Sequence, residues 1–287
     1  MDIDHLIVKP GSRISLSNFD PGYVGSYEKQ HAKELLKTSL KQLTLDQDKL
    51  YAQNTYALLI LFQAMDAAGK DSTIKHVMSG VNPQGCQVYS FKSPSAEERD
   101  HDYLWRSMKA LPERGMIGIH NRSYYEEVLV VRVHPEMLAS QQLPEPIKQD
   151  PYIWQRRFEE INNFEHYLVN NGIIVLKFFL YVSKDEQRQR FLDRINEPEK
   201  NWKFSTHDVK ERSFWDNYMN AYEDVFNHTS TTWAPWYIIP ADHKWYTRLA
   251  VSRVISQTLE SLNLHYPVVD EERRRELLED KKLLDAE

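Results

Sequence analysis

Apolar residues in this chain gather into five short runs, separated by longer stretches in which they recur every three or four positions. The runs are "YALLILF" (Tyr56–Phe62), "CQVYSF" (from Cys86), "MIGIH" (Met116–His120), "IIVLKFFLYVS" (from Ile173) and "WYIIP" (Trp236–Pro240). Runs of this length and continuity predict strands buried on both faces, as in a parallel sheet. Helical spacing fills the intervals. Leu35, Leu36, Leu40 and Leu43 share a face within Ser26–Asp48, and "DSTIKHVMSG" reads as a helix stopped at Gly80 before the turn "NPQG". Trp154, Phe158, Ile161, Phe164 and Leu168 share another face ahead of Gly172. Ser183 and Glu186 have the spacing of a capping box, and a last core helix is predicted from about Tyr246 to Leu262. Strands alternating with helices predict an α/β fold of three layers, a five-stranded parallel sheet covered on both faces.

Three segments fall outside the alternation. Residues 1–25 are turn-rich (Pro10, Gly11, Pro21, Gly22) and predict an arm that, with the helix up to residue 50, packs on a core of residues 51–195 and 233–265. Residues 196–232 are long, mixed in charge and rich in aromatics, which predicts a helical insertion closing over the strand ends as a lid. Residues 266–287 form a charged tail, read as a solvated helix end available for assembly.

Composition narrows the function classes. With 287 residues, 41% hydrophobic, and a net charge of −6, the chain can bury a large core and has no global attraction for nucleic acid or membranes. The one cysteine, Cys86, sits in an apolar run and is expected to be a small buried hydrophobe, which suits a reducing cytoplasm. No signal-peptide core and no run near the ~20 apolar residues of a membrane span is present. A soluble cytoplasmic protein is the expectation.

The candidate chemistry starts at "QAMDAAGKDST". A strand, a turn of small residues and a helix start are the physical parts of a phosphate-binding loop, in which the first helical N–H groups face the anion. Ala67, Ala68, Gly69, Lys70, Asp71 and Ser72 would form that loop, with Lys70 as a positive charge along the phosphates. The loop departs from the usual pattern, because Ala64 replaces a glycine and Asp71 stands where Ser or Thr follows the lysine. Asp66 inside an anion cradle is repulsive unless a cation lies between, so it reads as a metal ligand or a base, with a turn or cap role as the plainer alternative. An ordinary strand-to-helix turn with Lys70 on the surface is the plain reading of the whole loop.

A second constellation, "IGIHNRSYYEE", follows the third strand. Asn121 occupies the strand end where nucleotide kinases place a second carboxylate, Arg122 could neutralise charge on a transferring phosphoryl group, and Glu126 could supply the missing acid. A surface ion pair between Arg122 and Glu126 is the alternative. A third group is basic: Arg190 and Arg194 lie four apart on one helix face, and Lys200, Lys203 and Arg212 follow in the insertion. Such groups suit a lid that excludes water, though interleaved acids also fit a solvated face. His120 and His134 are expected in core or surface roles. Trp202, Trp215, Trp233 and Trp236 read mostly as packing, with one near the lid able to stack on a base.

Together these segments resemble the family-two polyphosphate kinases. "QAMDAAGKDST" is similar to that family's variant phosphate loop, "NRSYYEEVLVVRVHPE" to its second motif and "INEPEKNWKFSTHDVKERSFWDNYMNAYEDVF" to its lid, with likeness running from about residue 25 to 265. The resemblance implies a P-loop kinase fold, Mg²⁺ dependence and reversible phosphoryl transfer between inorganic polyphosphate and AMP, ADP or ATP, with guanine nucleotides as further acceptors. It implies roles for Asp66 as the loop acid, Lys70 on phosphate, Arg122 at the transferring group, and Arg190 with Arg194 in the lid. Asp66 and Glu126 become the expected metal ligands. Asn121, where many members carry an acid, together with Glu126 resembles the class III subgroup, implied to use both mono- and diphosphates. A homo-oligomer, dimer or tetramer, is also implied. Two other functions fit the residues less fully: an ATP-dependent kinase of another small molecule, and a binding regulator whose chemistry is lost.

Overall fold

The computed structural model describes residues 2–287 and carries all five apolar runs as strands. An arm with two 3-10 turns leads to α1 (Lys29–Gln53), β1 (Ala57–Gln63) and α2 (Lys70–Val77). β2 (Cys86–Ser90), the short helices α3 (Ala96–Arg99) and α4 (Trp105–Met108), and β3 (Ile117–Asn121) follow. After a 3-10 turn at Tyr124–Val128 come α5 (Val130–Val133), α6 (Pro135–Ser140), α7 (Glu145–Lys148) and α8 (Ile153–Asn170). β4 (Ile173–Tyr181) and α9 (Lys184–Asn196) lead through a 3-10 segment, Pro198–Lys203, to α10 (Thr206–Arg212) and α11 (Trp215–Thr229). β5 (Trp236–Pro240), α12 (Lys244–Ser261) and α13 (Glu271–Leu284) complete the order.

The sheet is parallel throughout, in the order β2-β3-β1-β4-β5. β1 is central and wholly buried, with Leu59 beside Gly118 of β3 and Val175 of β4. Helices α1, α2 and α12 pack together over one side, and α8 and α11 over the other. The carboxyl end of β1 thus opens into a crevice between the loops leaving β3 and β4, where open α/β sheets bind ligands. The arm covers the β5 edge: Ile7 bridges Tyr237, and the Val8 N–H donates to the Trp236 carbonyl at 2.9 Å. That pairing protects an edge that would otherwise template aggregation.

Four expectations change. The β2 edge is open, with Gln87, Val88 and Ser90 exposed, so this strand is not buried on both faces. Cys86 is half-buried rather than buried, and its partial burial pushes the thiol up to about 11, far from reactive. Helix α1 buries Ala32, Leu43, Asp46, Gln47 and Leu50, leaving Leu35, Leu36 and Leu40 half-covered, because it runs on to Gln53 against α12. Its polar pair is used: Gln42 Nε2 holds the Asp46 carboxylate, and Gln47 lies so close to Gly85 that a Cβ there would sit 2.0 Å from Nε2. Ser183 makes half a capping box. Its hydroxyl accepts from the Glu186 N–H, but its own N–H is taken by Asp242 (2.7 Å), which frees Glu186 for Arg190.

The largest difference is α11. It buries Trp215, Tyr218, Ala221, Tyr222, Val225, Phe226 and Thr229, with Tyr222 and Phe226 against Phe179 of β4 and Phe226 against Trp236 of β5. Residues 215–229 are therefore a layer of the core, and the segment standing away from the sheet narrows from 196–232 to about 197–213. Among the described residues no helix is long and apolar enough to cross a membrane.

Candidate active site

β1 delivers the chain into a turn built largely of small residues. Ala67 and Gly69 have left-handed backbones (φ 61° and 108°), and Ala64, Met65 and Ala68 are buried beneath it. The angle at Gly69 suits glycine alone, while Ala67 carries a strain of about 1–2 kcal/mol. Gly69 is the N-cap of α2 and makes no side-chain cap, which leaves the first helical N–H groups without a side-chain acceptor, as an anion site needs. Lys70 lies back over the loop, its Nζ donating to the Ala64 carbonyl at 2.8 Å. Burial lowers its pKa to about 8, aided by the Arg122 charge and opposed by Asp66, Glu126 and Asp71.

Arg190 is not on the ligand side of the loop. It is buried, and all five of its N–H groups are engaged: Nε with Glu186 (2.8 Å), Nη1 with the Ala67 and Ala68 carbonyls (3.0 and 2.8 Å), and Nη2 with the Ala241 and Asp242 carbonyls (2.6 and 3.1 Å). The guanidinium therefore straps the phosphate loop to the β5–α12 turn, and the expectation that it meets polyphosphate from a lid is corrected. Gln187 adds a second strap, Nε2 donating to the Asp66 carbonyl at 2.9 Å.

The second constellation converges on the same loop. Arg122 has a left-handed backbone (φ 65°), a strain of about 1–3 kcal/mol held in place by its N–H bond to the Phe62 carbonyl. Its guanidinium bridges the two expected acids, Nη2 to Asp66 at 2.7 Å and Nη1 to Glu126 at 3.1 Å. Glu126 is the main cause of the raised Arg122 pKa, with Asp66 adding to it against the cost of burial. Asn121 donates to the Asp71 carboxylate at 2.5 Å, so this acid steadies the β3 end of the crevice.

The two carboxylates form the donor set available to a metal. Among the described residues there is no cluster of three or more His, Cys, Asp or Glu that could hold an ion. Mg²⁺ commonly binds through one or two carboxylates with substrate phosphates and water completing its shell. Asp66 and Glu126, close enough to share one guanidinium, fit that mode and do not fit a dedicated protein cage.

Of the remaining basic residues, Arg194 reaches the Lys203 carbonyl (3.3 Å) and Asp208 (3.4 Å), and Lys200 pairs with Glu197. Lys203 lies over the exposed ring of Trp202. Arg212 donates to the Lys184 carbonyl and Gln187, with its pKa lowered by desolvation. None of these four lines the cleft below the loop. That cleft is walled by Ala64, Met65, Asp66, Arg122 and Glu126 and, from the far side, by Glu211, Tyr218 and Tyr222. Buried Glu211 accepts from Tyr218 (2.6 Å) and contacts His134 Nε2 (2.9 Å), tying α10 to α11. His134 and His120 are both core residues. His120 bonds the Ala110 carbonyl and is held neutral, its pKa lowered to about 4 by burial.

Sequence reasoning misses Glu211, Tyr218 and Tyr222, although the four-residue spacing of the tyrosines is a helical signal. It also misses two cations of α12. Arg248 Nη2 donates to the Ser72 hydroxyl at 2.9 Å, and Lys244 has a pKa lowered by burial and by Arg190, Lys200 and Arg248 nearby. Only the crossover from β5 places them beside the loop.

Known proteins resemble this chain in sequence and fold. A family model described as polyphosphate kinase 2 matches residues 26–267. An ADP-polyphosphate phosphotransferase of Rhodopseudomonas palustris is 52% identical over 96% of each chain. An AMP/ADP-polyphosphate phosphotransferase of Meiothermus ruber is 45% identical over 91% of this chain and 94% of its own. The crystal structure of polyphosphate kinase 2 from Arthrobacter aurescens superposes with a TM-score of 0.87 at 38% identity, covering 96% of both chains. With the fold, the loop and the match over most of its length in agreement, the chain belongs to the polyphosphate kinase 2 family.

Proposed function

We propose that this protein is a phosphotransferase that moves the terminal phosphoryl group of inorganic polyphosphate to ADP and AMP, reversibly and with Mg²⁺. The observation that carries this reading is the Arg122 guanidinium, held between Asp66 and Glu126 at the mouth of the Lys70 loop. A terminal phosphate oxygen of the nucleotide attacks the last phosphorus of the chain, and the P–O bond to the next phosphate breaks. The acceptor oxygen is already ionised at neutral pH, so positioning and charge neutralisation supply most of the acceleration. Lys70, Gly69 and the α2 N–H groups bind phosphate, and Arg122 faces the transferring group. Asp66 and Glu126 would hold Mg²⁺, which when bound neutralises phosphate charge.

Lys200, Lys203 and Arg212 of a lid at 197–213, with Arg194 at the end of α9 beside them, form its basic face, and Lys244 with Arg248 extends the cationic path beyond Ser72. The acceptor range follows the AMP/ADP relative, as Asn121 with Glu126 suggests for class III, with guanine nucleotides as secondary acceptors. A cytoplasmic location suits nucleotide and polyphosphate substrates, and the exposed α13 suits assembly of a homo-oligomer. No feature of the site favours an ATP-dependent kinase of another small molecule or a non-catalytic regulator.

A luminescent ATP assay with polyphosphate and Mg²⁺ tests the reading. ATP should form from ADP, and more slowly from AMP through ADP. Silence with both acceptors would sink it. Glu126→Gln should lower the AMP-dependent rate, and an unchanged rate would confine Glu126 to its pairing with Arg122.

A further inference from the structure

Behind the Arg122–Glu126 turn lies a cluster of polar groups that lines no part of the cleft. Lys177 of β4 and Glu165 of α8 have side chains with 0% exposure each, and they meet at 2.7 Å. Lys177 Nζ directs its three N–H groups to Glu165 Oε2 (2.7 Å), the Thr229 carbonyl (2.7 Å) and the Tyr125 hydroxyl (3.0 Å). Glu165 Oε1 accepts from the hydroxyls of both Tyr124 (2.9 Å) and Tyr125 (2.8 Å). Every donor is satisfied.

An ion pair this deep is a poor source of stability, since apolar side chains of like shape serve as well or better. Its particular property is direction, and its partners belong to the elements that carry the walls of the site. Tyr124 and Tyr125 sit between Arg122 and Glu126 in the chain, in the turn whose strained backbone must be held from outside. One side of that turn is held by the Phe62 carbonyl on the Arg122 N–H and by Gln63 Nε2 on the Ser123 hydroxyl (3.1 Å). The tyrosine hydroxyls hold the other. Lys177 lies beside Leu61 of β1, the strand that feeds the phosphate loop. Thr229 ends α11, the helix that brings Tyr218 and Tyr222 to the cleft.

We propose that Tyr124, Tyr125, Glu165 and Lys177 are positioning residues, a buried cluster that sets the Arg122 guanidinium and the Glu126 carboxylate in register with the phosphate loop. The inference rests on the phosphoryl-transfer reading. The cluster touches no substrate, and it acts by fixing where the turn stands relative to β1 and α11.

The test replaces the whole cluster by apolar groups of similar shape, Y124F/Y125F/E165L/K177M, and leaves no buried charge behind. Melting temperature and urea midpoint should stay close to wild type, while kcat for ATP formation falls roughly ten- to hundredfold with KM for polyphosphate nearly unchanged. A merely structural cluster would instead yield a variant with wild-type kcat once stability is retained, and that result overturns the proposal. Should the fourfold variant fail to fold, Y124F/Y125F removes only the hydroxyls and carries the same kcat readout with the same overturning result. Wild-type protein inactive in this assay would overturn the transfer reading and this proposal with it. An active wild type beside an equally active variant overturns this proposal alone.

Discussion

Lys70 and Arg190 divide two tasks that a sequence assigns to basic residues alike. Lys70 has a charge the folded protein holds at a cost, because its pKa is lowered from 10.5 to about 8. The sign follows: the folded state disfavours the ammonium, so the penalty is full below pH 8 and fades as pH rises toward 10.5. Lys70→Met should therefore stabilise the ligand-free protein at pH 7 by on the order of 1 kcal/mol, read as a rise of about 2 °C in melting temperature, while abolishing ATP formation. The gain should shrink between pH 8 and 10.5. Arg190 gives the opposite signature. Arg190→Lys cannot reproduce a planar fork with four carbonyl partners, and should lower stability by about 2–3 kcal/mol in urea titrations. A variant that kept its stability and raised only KM for polyphosphate would return Arg190 to the ligand side. At this scale Asp66, Lys70, Arg122 and Glu126 are legible, because two short motifs at the ends of adjacent strands must meet. Arg190 is not, because which face of α9 is buried depends on the β5–α12 turn, far along the chain.

Helices α10 and α11 show where element-level reading succeeds and where it stops. The five strands announce themselves by continuous apolar runs, and their parallel pairing follows from the alternation. Buried positions 215, 218, 222, 225, 226 and 229 also keep helical spacing, but interspersed acids and the preceding charged stretch mask the helix as part of an insertion. The true boundary falls near residue 214, where aromatic rings begin to reach Phe179 and Trp236. Lys200, Lys203 and Lys210 lie in the exposed part and α11 does not offer comparable sites. Limited trypsin treatment should cut first between residues 200 and 212, and polyphosphate should slow that cut several-fold if the segment closes over bound substrate. First cleavage elsewhere in the folded core, or indifference to polyphosphate, would deny 197–213 a role as a lid.

Across the whole molecule, a net charge of −6 coexists with a crevice where Lys70, Arg122, Lys244 and Arg248 gather. The sequence shows the imbalance but not the gathering, since β1, β3 and the start of α12 meet only through the crossover order of the sheet. The Arg122 bridge between Asp66 and Glu126 has a consequence for how the protein endures without bound metal. Two carboxylates facing each other across an anion site would repel and loosen the loop, but the guanidinium between them acts as a built-in counter-ion that offsets that repulsion. Chelation by EDTA should stop turnover completely and leave the melting temperature within about 1 °C of the untreated protein, unlike small domains whose structural metal is their folding energy. A large drop in melting temperature would mean that a tightly held ion, and not Arg122, balances the two acids. In an enzyme balanced in this way, metal supply governs catalytic rate without governing how much folded protein survives, so scarcity idles the enzyme rather than destroying it.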